Sequence, residues 1–347
     1  MKKLFIIAAA LALWSGPALA GEKAVALDLH SHSICSDGIY TPEYLVDLAK
    51  TDTLRYYALS DHDTVACVAR AQAQAKKDGI TLVPAIEVSA EDDRMHILGL
   101  NLNLESPAIA RLEKWADRAR RARLPAIVAA LEKAGVKLDA KNDVVIPKIN
   151  AQRKADGKPP LSDSEAAALT LDQAQSMLAG HITRPDIAAA LLARGYVSSK
   201  REAFDKYIGD DCPGYAEFQG PHFRDVIHAI HEAGAIAILA HPYTIYKGRK
   251  PPLVYSDKDY QSFQEIANDL LDAGLDGFEA FRPGWENEMD DFRLLEKVAA
   301  EYKGKKTVLF SAGSDFHGPG VTSVKGLYTE GLPVKYAKPL LKALKLD

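Results

Sequence analysis

Ten histidines occur in this chain, and most of those near acidic residues follow short apolar runs. His30 and His32 stand in Asp28-Leu29-His30-Ser31-His32. Alternate residues of an extended segment face the same side, so the pair aims two imidazoles into one space. Asp37 follows in Cys35-Ser36-Asp37-Gly38, where an aspartate before glycine also has an ordinary role in a turn. His62 lies in Ser60-Asp61-His62-Asp63, Glu87 in Ile86-Glu87-Val88, and His96 in the next apolar run. His241 lies in Ala240-His241-Pro242, and Asp315 and His317 in Gly313-Ser314-Asp315-Phe316-His317-Gly318. Each of these residues alone has a plain structural explanation. Their repeated appearance near strand ends, where α/β proteins gather catalytic groups, argues for a common site. Imidazole with carboxylate suits divalent Zn, Mn or Fe, and no cysteine is required. Nine ligand-type residues are too many for one ion and fit two or three, with Glu87 available as a bridge. Clustered ions hold hydroxide at neutral pH and stabilise a phosphoryl transition state.

The elements that must position these residues alternate strand and helix. Residues 24–29, 56–59, 80–86 and 95–100 read as strands. Thr41-Pro42-Glu43 reads as the start of a helix, with a threonine cap, a first-turn proline and an acid near the helix start. A second helix is expected over 64–77. The rhythm fails between about 105 and 220. There, 107–134 reads as helix with a kink or break at Pro125, 141–160 as a polar loop, and 171–179, 184–193 and 200–208 as short helices. Alternation resumes with strands at 235–240, 277–281 and 307–311 and helices at 224–233, 259–273 and 289–302. This pattern predicts an α/β barrel interrupted by a mostly helical insertion. The expected divisions are 1–20, 21–104, 105–220 and 221–347.

Residues 1–20 read as a secretory leader: Lys2 and Lys3, an apolar run over 4–14, and Ala18-Leu19-Ala20 as a cleavage site. The expectation is an exported protein, periplasmic or secreted, without a membrane anchor. Cleavage would remove two lysines and take the net charge from −4 to −6. Neither value provides a bulk basic field for nucleic acid. Of the three cysteines, Cys35 and Cys67 each follow a ligand segment and could lie near one another. Export permits a disulfide, while three separate small side chains is the plainer expectation.

Taken together, His30-x-His32 with Asp37, Asp61-His62-Asp63, Glu87, His96, Ala240-His241-Pro242 and Asp315-x-His317 resemble the motifs of the PHP family, named for polymerase and histidinol phosphatase. The resemblance covers about 24–104 and 220–320. It implies a distorted (β/α)7 TIM-like barrel with a trinuclear site. One ion would take His30, His32, Glu87 and Asp315, a second Glu87, His96 and His241, and a third Asp37, His62 and His317.

The insertion narrows the resemblance. Thr183-Arg184-Pro185-Asp186-Ile187-Ala188, with Gly195-Tyr196-Val197 and Ala203-Phe204-x-x-Tyr207, resembles the insert of the nucleoside 3′,5′-bisphosphate phosphatases. That branch also contains enzymes that trim oligonucleotides from the 5′ end. Arg184 would then contact the substrate phosphate, since a guanidinium suits bidentate binding. Asp186 departs from the usual histidine, and His181 is a candidate replacement. Arg282 could contact a second phosphate or be a surface arginine, whereas His228 and His231 read as structural. The resulting expectation is hydrolysis of a small-molecule phosphomonoester, a nucleotide, by metal-bound hydroxide. The rivals are a phosphodiesterase or 5′-3′ exonuclease on short oligonucleotides, using the basic run from Arg111 to Arg123, and a non-catalytic exported metal-binding protein.

Overall fold

Seven short apolar runs pair into one sheet. In the computed structural model, residues 23–91, 94–247, 250–255, 258–284, 289–304 and 306–347 are described, so the expected leader lies outside the described residues. The strands are β1 (Leu27–Asp28), β2 (Tyr56–Leu59), β3 (Thr81–Ala90), β4 (Met95–Leu100), β5 (Ile236–Leu239), β6 (Gly277–Phe281) and β7 (Leu309–Ala312). Their order across the sheet is β7-β6-β5-β4-β3-β2-β1. The first three strands are mutually parallel, as are the last three. Strand β4 runs antiparallel to both its neighbours.

The two edges of the sheet approach each other. Leu29 N donates to Ala312 O at 3.0 Å, Asp315 N donates to His30 O at 2.8 Å, and Ser31 forms a parallel bridge with Phe316. The result is a nearly closed, distorted seven-stranded barrel of the TIM type. Alternate strand side chains are buried on both faces of this sheet, with Leu27, Val83, Leu98 and Ile238 on one face and Ile97 and Phe278 on the other.

Helices α1 (Pro42–Thr51) and α2 (Val68–Asp78) bury Leu45, Val46, Ala49, Ala71 and Ala75 against one side of the sheet. The expected cap at Thr41 is present, with Tyr44 N donating to Thr41 Oγ1 at 3.2 Å. A long helix, α3 (Pro107–Lys133), leaves the barrel. Its first turns place Ala108, Ile109 and Leu112 in the barrel core, and its far half places Leu124, Ile127 and Leu131 in a second hydrophobic cluster that extends to Ile208.

Two local expectations need correction. Helix α3 is continuous through Pro125, so of the kink or break expected there the break does not occur. A proline removes one helical hydrogen bond, and packing of Leu124 and Ile127 on both sides carries the helix across that gap. The polar stretch 141–160 is not a simple loop: it contains a π-helical turn, Ala140–Val145, and helix α4 (Ile146–Ala155). Asp139 caps this region by accepting from Lys141 N and Asn142 N, both at 2.9 Å. Pro147 falls in the first turn of α4, where an absent N–H costs nothing.

Candidate active site

The reversal of β4 explains how one cluster forms. Residues beyond the carboxyl ends of β1, β2, β5 and β7 reach the same barrel mouth. His96 belongs to the first turn of strand β4, and the antiparallel direction puts that beginning at the carboxyl end of its neighbours, with His96 opposite Ser89 of β3. Glu87 comes from β3 itself, two residues before Ser89 and on the same face. Three site residues have left-handed backbone angles: φ is 57° at Asp63, 28° at His241 and 54° at Asp315. Such angles are costly for residues with side chains and persist where the surroundings enforce them. Here they turn the chain sharply at the barrel mouth.

Glu87 is the hub. Five imidazoles lie within 3.2 Å of its carboxylate: those of His30 and His32 at 3.2 Å, His62 at 3.0 Å, His96 at 3.1 Å and His241 at 2.9 Å. Asp315 lies 3.3 Å from His30 Nε2 and 3.2 Å from His32 Nε2. Asp37 lies 3.2 Å from His317 Nε2 and 3.6 Å from His62 Nε2. Thus all nine residues expected to be ligands converge. Three groupings have donor atoms close enough to share an ion: His30, His32, Glu87 and Asp315; His32, Asp37, His62 and His317; and His62, Glu87 and His96. The first matches the expected set. In the others His32 and His62 take part more widely than the simple partition allowed, while His241 Nε2 joins His96 Nδ1 at 3.3 Å.

The donor set fits cations. Asp37 Oδ1, His62 Nδ1 and Glu87 Oε2 are buried and make no hydrogen bond. Such atoms are expensive to bury without a partner. Nε2 of His30 and Nε2 of His32 face each other at 3.1 Å, an arrangement natural for two lone pairs converging on a shared centre. Electrostatics agree. Burial would raise Glu87, but His30, His62 and His96 hold its carboxyl well below the usual range. Burial likewise opposes charge on His32, yet Asp315 and Glu87 push its imidazole up to about 10. His62 goes the other way, pushed down to about 4 by burial despite Glu87 and Asp37. The buried carboxylates thus favour positive charge in this pocket, which a bound cation would supply in place of protons on the imidazoles.

A surrounding layer of residues holds this arrangement, and sequence reasoning missed much of it. Glu279, buried in the apolar strand β6, lies 2.9 Å from His30 Nδ1 and accepts from His241 N at 2.8 Å. A carboxylate accepts only, so His30 presents N–H at Nδ1 and its Nε2 lone pair to the cluster. The available signal was an acid inside an otherwise apolar strand. Gly313 permits this approach: a Cβ there would overlap the His30 Cβ and sit 2.6 Å from Glu279 Oε1. Asp28 accepts from His30 N, Ser314 N and Tyr328 N at 3.1, 3.0 and 2.7 Å, joining three distant segments. Asp61 is not among the grouped residues. Its carboxylate accepts from Ser33 N, Ser33 Oγ and Ser36 Oγ at 2.7, 2.6 and 2.6 Å, and so shapes the turn that carries Asp37.

The helical segment between β4 and β5 contributes two buried cations to the same layer. Arg120 donates to Asp63 Oδ2 through Nη2 at 2.7 Å and Nε at 3.1 Å, and to Ser89 Oγ at 2.6 Å. Lys148 of α4 donates to Ser36 O and to Asp186 Oδ1, the latter at 2.8 Å. Asp186 also accepts from Thr183 N at 2.9 Å and Thr183 Oγ1 at 3.0 Å, so it caps helix α5 (Arg184–Ala193). Its charge is therefore balanced by a lysine rather than by an arginine or an ion. Arg184 donates to Asp210 Oδ1 at 2.9 Å within the insertion. His181 is not in the cluster; its Nε2 lies 3.3 Å from Asp63 O. His231 lies 2.8 Å from Asp276, and His228 is exposed 3.6 Å from Glu232.

Beside Asp315 and His241 opens a cavity of about 290 Å³, lined also by Tyr243, Arg282, Pro283 and Val324. The Arg282 guanidinium stacks on Tyr243, 3.7 Å from the ring centre, and its Nη2 lies 3.6 Å from Asp291. Neither Arg184 nor Asp186 lines this cavity.

A nearly closed barrel with such a centre at its mouth defines a class of hydrolases, the metal-dependent phosphoesterases. The chain belongs to the PHP domain family, whose model matches residues 28–278, and it is a metal-dependent phosphoric ester hydrolase. It is 31% identical to a 5′-3′ exoribonuclease of Haemophilus influenzae over 84% of this chain and 90% of that one. It is 28% identical to a 3′,5′-nucleoside bisphosphate phosphatase of Chromobacterium violaceum over 92% of this chain and 96% of that one. Among solved structures, an amidohydrolase from Chromobacterium violaceum with bound sulfate and no metal superposes with a TM-score of 0.69 at 28% identity, covering 92% of this chain and 97% of the other.

Proposed function

We propose that this enzyme removes a phosphomonoester from a small nucleotide, a nucleoside 3′,5′-bisphosphate being the best match, in an exported setting. The observation that carries the reading is the Glu87-centred cluster opening directly on the cavity that holds Arg282. His30, His32, Glu87 and Asp315 would hold one divalent ion, Glu87, His96 and His241 a second, and Asp37, His62 and His317 a third. These donors suit Mn, Zn or Fe. Bound there, two or three ions supply activated water and neutralise charge on the phosphoryl group.

The chain's own residues do the remaining work. Glu279 and Asp28 orient the imidazole of His30 and the strand end that carries it. Arg282, held flat against Tyr243, offers a fixed cationic edge to a second phosphate. Tyr243, Pro283 and Val324 give the leaving group apolar walls. Arg184 supplies the further phosphate contact, with substrate competing against Asp210 for its guanidinium. The relative from Chromobacterium violaceum supports the bisphosphate substrate. The leader pattern and the Cys35–Cys67 disulfide support export, because disulfides persist in oxidising compartments. No described helix is long and apolar enough to cross a membrane.

A second reading, trimming of short oligonucleotides from the 5′ end, draws on the Haemophilus influenzae relative. The basic run of α3 lends it little. Arg120 and Arg123 are buried, while Arg111 pairs with Glu232 and Arg121 with Asp117 and Asp172. Metal-loaded mature protein tested against phosphomonoesters, nucleoside bisphosphates and oligonucleotides decides between the two. Bisphosphates should give the highest kcat/KM. Faster release of mononucleotides from an oligonucleotide would replace the first reading with the second.

A further inference from the structure

The nine ligand residues are not equally well supported by the sheet. His30, His32, Glu87 and Asp315 stand on or next to strands paired in register or on the hydrogen bonds that close the barrel. Asp37 is different. It sits on a turn whose backbone bonds are mostly local: Ser36 N and Gly38 N both donate to Ser33 O, at 3.1 and 3.0 Å, and Ile34 N donates to Tyr40 O at 2.8 Å. One backbone bond leaves the turn, from Ile39 N to His317 O at 3.0 Å, and it reaches another member of the same grouping rather than a paired strand.

Besides that bond, three kinds of tie hold the turn in place. Asp61 accepts from Ser33 and Ser36. The insertion reaches in through Lys148 to Ser36 O and through Gln152 Nε2 to Ile34 O at 3.0 Å. The third tie is covalent. Cys35, two residues before Asp37, is disulfide-bonded to Cys67, with Cα atoms 6.3 Å apart and both residues buried. Cys67 immediately precedes α2 and ends the segment that carries His62. The bond thus spans 32 residues of sequence and joins the two segments that supply His32, Asp37 and His62. The insertion closes over it: a Cβ on Gly180 would overlap the carbonyl oxygen of Cys35.

We propose that the Cys35–Cys67 disulfide is a positioning element for the grouping of His32, Asp37, His62 and His317, acting chiefly through Asp37, which serves no other grouping, and so setting the affinity of one ion of the centre far more than that of the others. The proposal rests on the metal-binding reading above. The selectivity follows from the supports: the bond lies between the turn and the start of α2, whereas the grouping built on His30, Glu87 and Asp315 is held by strands and by Glu279. Loss of a group that orients metal ligands typically weakens affinity about 10- to 100-fold.

The test compares mature wild type with the Cys35→Ala/Cys67→Ala variant. Bound Mn or Zn is counted by elemental analysis across a series of buffered free-metal concentrations, with circular dichroism and thermal melting followed in parallel. Wild type should hold three ions. The variant should melt cooperatively, hold two ions at an affinity within a few-fold of wild type, and bind the third about 10- to 100-fold more weakly. Asp37→Asn with the disulfide intact should lose that same ion. Should the double variant fail to fold, the comparison uses folded, loaded wild type treated with a water-soluble phosphine. Opening the S–S bond then gives two thiols, and the phosphine becomes its oxide with oxygen from water. One ion should again be released, and reoxidation should restore it. Equal stoichiometry and affinity with and without the bond would overturn the proposal, as would equal weakening of every ion. Wild type holding one ion or none would instead overturn the multi-metal reading, and the positioning role with it.

Discussion

Replacing Glu279 tests whether the layer behind the ligands matters. The Glu279 carboxylate accepts from His241 N at 2.8 Å and lies 2.9 Å from His30 Nδ1, in a residue only 5% exposed. Glu279→Gln keeps the shape, but the amide has one oxygen to accept with, so one of the two donors faces an NH2 group. A hydrogen bond to a charged acceptor contributes about 1.5–3 kcal/mol and a neutral one about 0.5–1.5 kcal/mol. Weakening one contact and losing the other therefore costs roughly 2 kcal/mol, and about 1.4 kcal/mol is a factor of ten. Affinity for the ion bound by His30 should fall about 10- to 100-fold, in line with losses seen when a ligand's supporting partner is removed. Competition against a chromophoric chelator measures this directly. Activity should recover in part when metal is raised, because the ligands themselves remain. An unchanged affinity, with unchanged kcat/KM at limiting metal, would refute the role given to Glu279 and the Nδ1–H form assigned to His30.

Glu87→Gln should lower bound metal and turnover more than His96→Ala, since five imidazoles surround Glu87 and His96 adds one donor; elemental analysis with steady-state kinetics checks the order. Arg184→Ala and Arg282→Ala should each leave metal content intact and reduce kcat/KM on a bisphosphate roughly ten- to a hundred-fold, the loss expected for one charge-assisted contact of about 1.5–3 kcal/mol. Lysine at either position should rescue partly, because it restores charge without the planar fork. Lys148→Met removes the donor to Asp186 Oδ1 and to the Ser36 carbonyl, while Asp186 keeps its Thr183 bonds, so a loss of about 1–3 kcal/mol and a lower melting temperature are expected. Asp186→His removes the cap of α5 along with that ion pair, so lower stability is expected instead of a simple gain on bisphosphates.

The residues that converge at the barrel mouth were legible because chemistry leaves few uses for histidines and acids repeated at strand ends. His30-x-His32, Glu87 and Asp315-x-His317 announced themselves by type and spacing, and the alternation of strands and helices announced the barrel around them. The supporting residues were not legible in the same way. Glu279 looks like a stray acid in a strand, Arg120 looks like part of a solvated basic face, and Lys148 falls in a stretch that reads as loop. Their roles depend on partners 249, 57 and 38 positions away, and local periodicity carries no information about such pairings. The same holds for the Cys35–Cys67 bond, which local spacing allowed without requiring. Strand β4 is the sharpest case. Its apolar run reads the same in either direction, so only the packed sheet decides that it runs backwards, and that reversal delivers His96 to the mouth of the barrel. Residue type thus determined which groups could do the chemistry, while long-range pairing and burial, which come into being only when the chain closes on itself, decided their orientation, their charge and the partners that hold them.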